Sequence, residues 1–207
     1  MSVKLGEKEE IDMSKIPYIG EQNGVKTLFV NEKPFFVRGG ELHNSSSSNL
    51  NYMEEKVWPL LKGLNMNAVV LPVAWETIEA EEGIFDFTVV DGLIAQARRE
   101  QMRLVILWFG LWKNSESNYV PMWMKKKYDT YFRVEDAKGC KINTISPFCD
   151  AAVEKDAYAF VQLMAHIRDV DSEENTVIFM QIENEIGVLH TERDYSEKAE
   201  ALYGSAV

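Results

Sequence analysis

Short apolar runs alternate with longer amphipathic segments along most of this chain. The runs typical of strands cover residues 34–37, 68–73, 104–108 and 176–181. Between them, apolar side chains recur at three- and four-residue spacing, which is the periodicity of one helix face. These segments predict helices over residues 52–64, 89–100 and 152–168. A further apolar run at residues 27–30 precedes the first strand and predicts a hairpin with it. Residues 109–150 show neither pattern and are expected to be irregular.

Strands that alternate with helices in this order predict an α/β fold with a parallel sheet. Two architectures are compatible with the order, an open doubly wound sheet and a (β/α)8 TIM barrel. A doubly wound sheet usually carries a glycine-rich phosphate loop after its first strand, whereas here the sequence after that strand is Gly39-Gly40-Glu41-Leu42-His43. Acidic and aromatic residues follow the strand ends, where barrels keep their chemistry, and we therefore favour the barrel.

The chain contains about four of the eight βα units that a complete barrel needs. We therefore expect residues 1–23 to be a lead-in and residues 24–207 to be the N-terminal half of a catalytic barrel. A half barrel leaves two sheet edges uncovered, and uncovered edges favour pairing with another strand. We expect a homo-oligomer or a chain that is part of a longer one.

Composition limits the classes of partner. The formal net charge of -11 argues against nucleic acid and against anionic membrane surfaces. The two cysteines, Cys140 and Cys149, indicate a reduced compartment, with a single short-loop disulfide as the alternative. No spacing predicts a metal site or a cofactor motif. The first ten residues lack an apolar core, which predicts a cytoplasmic protein by default, with a secreted longer parent as the alternative.

The segment Gln181-Ile182-Glu183-Asn184-Glu185-Ile186-Gly187 directly follows the fourth strand. Side chains alternate along a strand, so Glu183 and Glu185 are expected on the same face. Two neighbouring carboxyl groups raise each other's pKa, and a carboxyl group kept protonated near neutral pH can act as a general acid. The plainer interpretation is that acidic residues end the strand in solvent, or that Glu183 pairs with an arginine.

Aromatic residues follow the second and third strands. Trp75 precedes the acidic segment that begins at Glu76, and Trp108 begins a stretch rich in large rings. Flat rings stack on sugar faces, but the same residues also anchor loops, which is an equal alternative for Trp112 and Trp123. His43 is a candidate for the pocket, while His166 and His190 are expected on the surface.

Three motifs in order resemble the clan A glycoside hydrolases, most closely the family 35 and family 42 β-galactosidases. Residues 36–43 resemble the opening strand, residues 67–87 the W-x-x-x-E-x-x-x-G signature after the second strand, and residues 181–187 the Q-[VI]-E-N-E-x-G of the fourth. The resemblance covers residues 24–190. It departs from the family in residues 119–123, which lack the glycines of G-G-x-P-x-W-L and leave the galactose preference open.

The resemblance implies a retaining hydrolase of β-galactosides with Glu185 as acid/base and Asn184 as partner of the sugar 2-hydroxyl. It implies substrate-contacting positions at Trp75 and Glu76 and an interior acidic position at Glu183. Together with His43 and Trp108, these are the predicted substrate-binding residues. The resemblance also implies a nucleophile at the end of a seventh strand, which this sequence lacks, so we expect the chain alone to be inactive. The alternatives are a truncated or non-catalytic carbohydrate-binding chain, and a clan A relative that acts on β-mannosides or β-glucosides.

Overall fold

A computed structural model describes residues 16–114 and 116–205. The strands are β1 Tyr18–Gln22, β2 Val25–Val30, β3 Lys33–Pro34, β4 Gly39–Glu41, β5 Ala68–Ala74, β6 Arg103–Phe109, β7 Arg133–Glu135, β8 Lys141–Ile145 and β9 Val177–Ile182. The α-helices are α1 Leu50–Tyr52, α2 Trp58–Leu61, α3 Trp75–Ile78, α4 Thr88–Arg99, α5 Met122–Lys125, α6 Asp150–Asp171 and α7 Glu197–Tyr203. A 3-10 turn at Ser46–Ser48 precedes α1, and a π-helical turn at Met53–Val57 joins α1 to α2.

The central element is a four-stranded parallel sheet with the order β4-β5-β6-β9. Neighbouring strands of this sheet therefore follow one another along the chain. Helix α4 lies between β5 and β6 in the sequence, and α6 lies between β6 and β9. This order lacks the reversal at which a doubly wound sheet changes direction. The structure thus confirms the predicted α/β fold with parallel strands and intervening helices.

The two faces of the sheet carry different cores. One face packs against α4 and α6 and forms the main hydrophobic cluster, to which β5 contributes Val69, Leu71 and Val73. The opposite face carries a smaller cluster centred on Leu107 and Phe109. Because side chains alternate along a strand, neighbours in β6 such as Leu107 and Trp108 belong to different cores.

The N-terminal strands β1, β2 and β3 form a separate antiparallel sheet. Leu28 and Val30 of β2 pack against Ile178 near the start of β9. This small sheet therefore covers the N-terminal end of the parallel sheet, opposite the carboxyl ends of its strands. The predicted lead-in, residues 1–23, contains β1 at its end, while residues 1–15 lie outside the described residues.

Several predicted elements are displaced. The first parallel strand is β4 at Gly39–Glu41 and not residues 34–37, because the chain needs 35–38 to leave the antiparallel sheet and reach β5. Residues 109–150 are less irregular than predicted, since they contain α5 and the antiparallel pair β7 and β8. The first predicted helix accommodates Pro59 because the π-helical turn lies directly before it.

The burial of the longest helix also differs from the prediction. The apolar spacing within α6 predicts a buried face made of Val153, Ala157, Phe160, Val161, Met164 and Ile167. Of these, Val153, Val161 and Met164 are exposed. The buried face instead uses Ala152, Ala159, Leu163 and Ile167, of which only Ile167 belongs to the predicted stripe. The helix thus has two apolar stripes, and this structure buries one of them.

Both cysteines are free thiols, Cys140 exposed and Cys149 buried. Within the described ranges, no helix combines the length and the apolar character that a membrane crossing requires.

Candidate active site

The candidate site lies where β5, β6 and β9 end. β9 ends at Ile182, and the three residues after it carry the Glu-Asn-Glu sequence. The loop after β6 turns back towards this segment, and three of its side chains reach Glu185. Lys113 Nζ lies 2.9 Å from Glu185 Oε2, and Asn114 donates its amide N–H to the same oxygen at 2.8 Å. The Trp112 indole N–H also donates to the Glu185 carbonyl oxygen at 3.1 Å.

The environment of Glu185 favours its ionised form. Its side chain is 62% exposed. The hydrogen bond from Lys113, the hydrogen bond from Asn114 and the charge of Lys113 together lower the pKa of Glu185. A general acid must hold a proton at the start of its work, so this contact with a cation bears directly on any acid role.

Asn184 lies beside the same lysine. Its amide is assigned with the oxygen towards Lys113, because the opposite orientation would place amide and ammonium donors face to face. In this orientation the amide oxygen accepts from Lys113 Nζ at 2.6 Å and from the Glu185 backbone N–H at 2.9 Å. One ammonium group therefore contacts both side chains of the Asn184-Glu185 pair.

Glu183 does not share the face of Glu185. Its backbone has φ of +60°, in the left-handed region, so the strand alternation that predicted a common face stops at Ile182. Glu183 turns to the loop after β6 and accepts the backbone N–H groups of Leu111 and Trp112, at 3.1 and 2.7 Å. It therefore fixes the loop that carries Lys113, and its carboxyl group is occupied by protein donors.

A second carboxyl group, that of Asp156 in α6, meets Glu183. Burial, followed by the hydrogen bond and the charge of Asp156, raises the pKa of Glu183 to about 9. Burial also raises the pKa of Asp156, whose Oδ1 accepts the Trp108 indole N–H at 2.9 Å. Since two ionised carboxylates this close repel each other, the pair holds a proton between them at neutral pH.

The two tryptophans expected at the sugar face are in the core. Trp75 and Trp108 are both 0% exposed, and their rings pack against each other with centroids 6.4 Å apart. The Trp75 indole N–H donates to Glu79 Oε2 at 2.6 Å, and the Gly83 N–H donates to Glu79 Oε1 at 2.8 Å. The spacing W-x-x-x-E-x-x-x-G is thus satisfied here by a buried hydrogen-bond unit and not by an exposed platform.

Trp123 continues this packing. It meets Trp75 edge-to-face at 6.1 Å and donates its indole N–H to the Glu79 carbonyl oxygen at 3.1 Å. Trp123 therefore anchors the loop, as the plainer interpretation of the aromatic residues predicts.

The remaining predicted residues lie at the strand ends. Glu76 is half-exposed and pairs with Lys125 Nζ at 2.9 Å, and its backbone N–H donates to the Tyr119 carbonyl oxygen. His43 is exposed directly after β4. Both lie at the same end of the sheet as Glu185, although neither contacts it in this structure.

Lys113, Asn114 and Asp156 are the residues of this region that the sequence analysis missed. Lys113 and Asn114 lie in the stretch 109–150, which has no periodicity, and Asp156 lies within a helix pattern. The only signal for Lys113 is its place in Trp112-Lys113-Asn114, where polar residues interrupt an aromatic run. In the part of the chain that the structure describes, no group of three His, Cys, Asp or Glu side chains is arranged to hold a metal ion.

Comparison with known proteins places this geometry in a class. The family described as Glycosyl hydrolases family 35 matches residues 27–207. The fold and the Asn-Glu pair thus belong to a glycoside hydrolase chain. More narrowly, the chain belongs to glycosyl hydrolases family 35, which confirms the resemblance found in its motifs. The comparison with curated proteins found no significant match to the sequence.

Two solved structures share the fold. An endo-1,4-beta-mannanase from Rhizomucor miehei aligns with a TM-score of 0.50 and 16% identity, over 83% of this chain and 50% of that chain. A polyextremophilic beta-galactosidase from the Antarctic haloarchaeon Halorubrum lacusprofundi aligns with a TM-score of 0.53 and 19% identity, over 77% of this chain and 22% of that chain. This chain spans half or less of the length of these two proteins.

Proposed function

We propose that this chain is the first half of a retaining β-galactosidase barrel and that Glu185 is its general acid/base. The observation that carries the proposal is the Asn184-Glu185 pair at the carboxyl end of β9, exposed and held by Lys113 and Asn114, in a chain of family 35. Carboxyl ends of barrel strands are where barrel enzymes place catalytic groups.

The proposed mechanism is a double displacement. Glu185 protonates the glycosidic oxygen while a second carboxylate attacks the anomeric carbon and the bond to the leaving group breaks. Glu185 then accepts a proton from water, whose oxygen displaces the enzyme carboxylate from the anomeric carbon. Asn184 is proposed to bind the sugar 2-hydroxyl, and Glu76 and His43 to contact the substrate from neighbouring strand ends.

The second carboxylate is proposed to lie on a seventh strand outside these residues. Glu183 is unsuited to the role because its two oxygens accept backbone N–H groups from Leu111 and Trp112. It also shares a proton with Asp156, which makes it a poor nucleophile. A retaining pair needs its two carboxyl groups about 5–5.5 Å apart and free to face the sugar.

The uncovered surfaces support the proposal that more protein packs here. Phe179 and Ile182 of β9 are exposed, as are Val153, Val161 and Met164 of α6. β9 is an outer strand of the parallel sheet among the described residues. Four further βα units of a longer chain, or a second copy of this one, would cover both the strand and the helix stripe.

The test is hydrolysis of aryl β-galactoside, β-glucoside and β-mannoside by the purified chain and by a longer chain that includes the proposed nucleophile strand. We expect no turnover by the 207-residue chain and preferential β-galactoside cleavage by the longer one. Turnover by the short chain that Glu185→Gln abolishes would refute the missing nucleophile. Preference for the β-mannoside or β-glucoside would refute the galactoside assignment. Sugar binding by the longer chain without cleavage would make it a non-catalytic binding protein.

A further inference from the structure

Lys113 is the most enclosed charged group at the candidate site. Its side chain is 8% exposed, whereas the Glu185 side chain that it contacts is 62% exposed. Its ammonium group lies 5.1 Å from the centroid of the Phe109 ring, on the ring face. Aromatic faces attract cations, and a buried cation is tolerated where partners of this kind replace water.

The contacts of this ammonium converge on the two residues that the proposed function uses. Nζ lies 2.9 Å from Glu185 Oε2 and 2.6 Å from the Asn184 amide oxygen. The backbone around Lys113 is itself held, because Glu183 accepts the N–H groups of Leu111 and Trp112. The loop therefore holds the backbone next to Lys113 in place, and this fixes where its side chain begins.

We infer that Lys113 is a positioning residue for Glu185. Its ammonium group bridges Asn184 and Glu185, fixes the direction of the Glu185 carboxyl group and keeps that group ionised while the site is free of sugar. The inference rests on the proposed function, since it assigns the acid/base role to Glu185.

Among the described residues, Lys113 is the cation that pairs with the Glu185 carboxylate. Asn114 donates a neutral hydrogen bond to the same carboxylate oxygen. Glu183 faces the opposite way, into its pair with Asp156, and at the rim of the site Glu116 pairs with His190 at 2.5 Å. Consistent with this arrangement, the hydrogen bond from Lys113 contributes most to the lowered pKa of Glu185.

The free site holds Glu185 in the form that activates water, whereas the first step needs the form that gives a proton. Sugar hydroxyl groups that compete for the Lys113 ammonium would release Glu185 from its cation and favour its protonation. Lys113 would then couple occupancy of the site to the protonation of Glu185.

The test is a carbon-13 NMR titration of the Glu185 side-chain carboxyl group in the purified chain, with its signal assigned by its loss in Glu185→Gln. We expect Lys113→Met to raise the pKa of Glu185, because the cation is removed, and Lys113→Arg to keep it low. Lys126→Met, which removes an exposed cation near the same loop, should leave the titration unchanged. A Lys113→Met curve that superimposes on the wild-type curve would overturn the inference.

The fold of each variant is checked by its near-ultraviolet spectrum, and Lys113→Gln replaces Lys113→Met if the latter loses the native spectrum. If both neutral variants unfold, the test uses the wild-type chain alone. An NMR signal of the Lys113 ammonium group that shows no contact with the Glu185 side chain would overturn the inference. The titration needs no turnover. A longer chain that cleaves no glycoside would therefore refute the proposed function while the Lys113 contact is still measured.

Discussion

The carboxyl groups of Glu183 and Asp156 meet at the Cα atom of Gly110. A Cβ atom at that glycine would lie 2.2 Å from Asp156 Oδ1 and 2.8 Å from Glu183 Oε1. The pair links β9 to α6 across the loop after β6, and it sits directly behind the loop residues that reach Glu185. Glycine at position 110 therefore leaves the space that these two half-buried carboxyl groups occupy.

The pair of Glu183 and Asp156 predicts that the free energy of unfolding falls with rising pH. The pKa of Glu183 is about 9 in the folded chain and 4.5 ordinarily, so between these values the folded state holds a proton that the unfolded state has lost. The contribution of this proton to the free energy of unfolding is therefore fully present below pH 4.5. It declines as the pH rises towards about 9, by up to about 1.4 kcal/mol per pH unit for one proton. Urea unfolding followed by tryptophan fluorescence, at about pH 5.5 and about pH 8.5, measures the decline.

Asp156→Asn separates this pair from other titrating groups. The new amide can still accept the Trp108 N–H and can donate to Glu183, so it replaces the shared proton. We expect the variant to lose the part of the pH dependence that Asp156 causes, while burial still raises the pKa of Glu183, and to exceed the wild type in stability at the higher pH. Asp169→Asn, on the exposed side of the same helix, is the matched control. Equal pH dependence in wild type and Asp156→Asn would contradict the prediction.

Gly110→Ala is expected to destabilise the chain by about 3 kcal/mol, near the upper end for overpacked cores. The added methyl group would meet Asp156 Oδ1 and the Trp108 indole nitrogen, both at 2.2 Å, and neither belongs to a side chain that is free to swing away. Gly204→Ala is the control, because its nearest neighbour is 3.5 Å from the added atom. Denaturant unfolding measures the free energy of unfolding of both variants. Similar values for the two would show that the carboxyl pair can move aside for the added methyl group.

Much of the parallel sheet could be predicted because its signal is local. The buried runs of β5 and β6 lie within one residue of their predicted bounds, and the long pattern of α6 lies within three. β4 was misplaced because a three-residue strand that begins with a glycine pair carries little strand pattern. The antiparallel pair β7 and β8 was missed because its pairing is set by loop packing and not by periodicity.

The candidate site was predictable only where chemistry coincides with a motif. Glu185 and Asn184 follow a strand in a recognisable sequence, and they lie at a strand end as expected. Trp75 and Trp108 are predicted to contact the sugar but lie in the core, because the sequence does not show whether a large ring at a strand end packs inward or stays exposed. Lys113 and Asp156 come from a loop and from a helix, and only the folded chain brings them to Glu185 and Glu183.

Trp75→Phe tests whether Trp75 is part of the core. The substitution removes the N–H that pairs with Glu79 Oε2 and leaves a buried carboxylate oxygen without that donor. We expect a loss of about 1–3 kcal/mol in the free energy of unfolding. If Trp75 instead faced a bound sugar, the variant would keep its stability and lose sugar affinity, and thermal unfolding with and without galactose distinguishes the two results.

Glu185→Gln tests the acid/base role in a longer chain that supplies the nucleophile. Glutamine keeps the shape and the Lys113 contact but cannot transfer the proton, so we expect a loss of about 10²–10⁴-fold in the rate on substrates with alkyl leaving groups. Substrates with activated aryl leaving groups need less protonation and should lose less in the first step. Glu116→Gln, which removes the exposed carboxylate paired with His190, is the control and should keep near-normal rates. An equal loss on both kinds of substrate would assign proton transfer to another residue, because only the acid's removal makes the rate depend on the leaving group in this way.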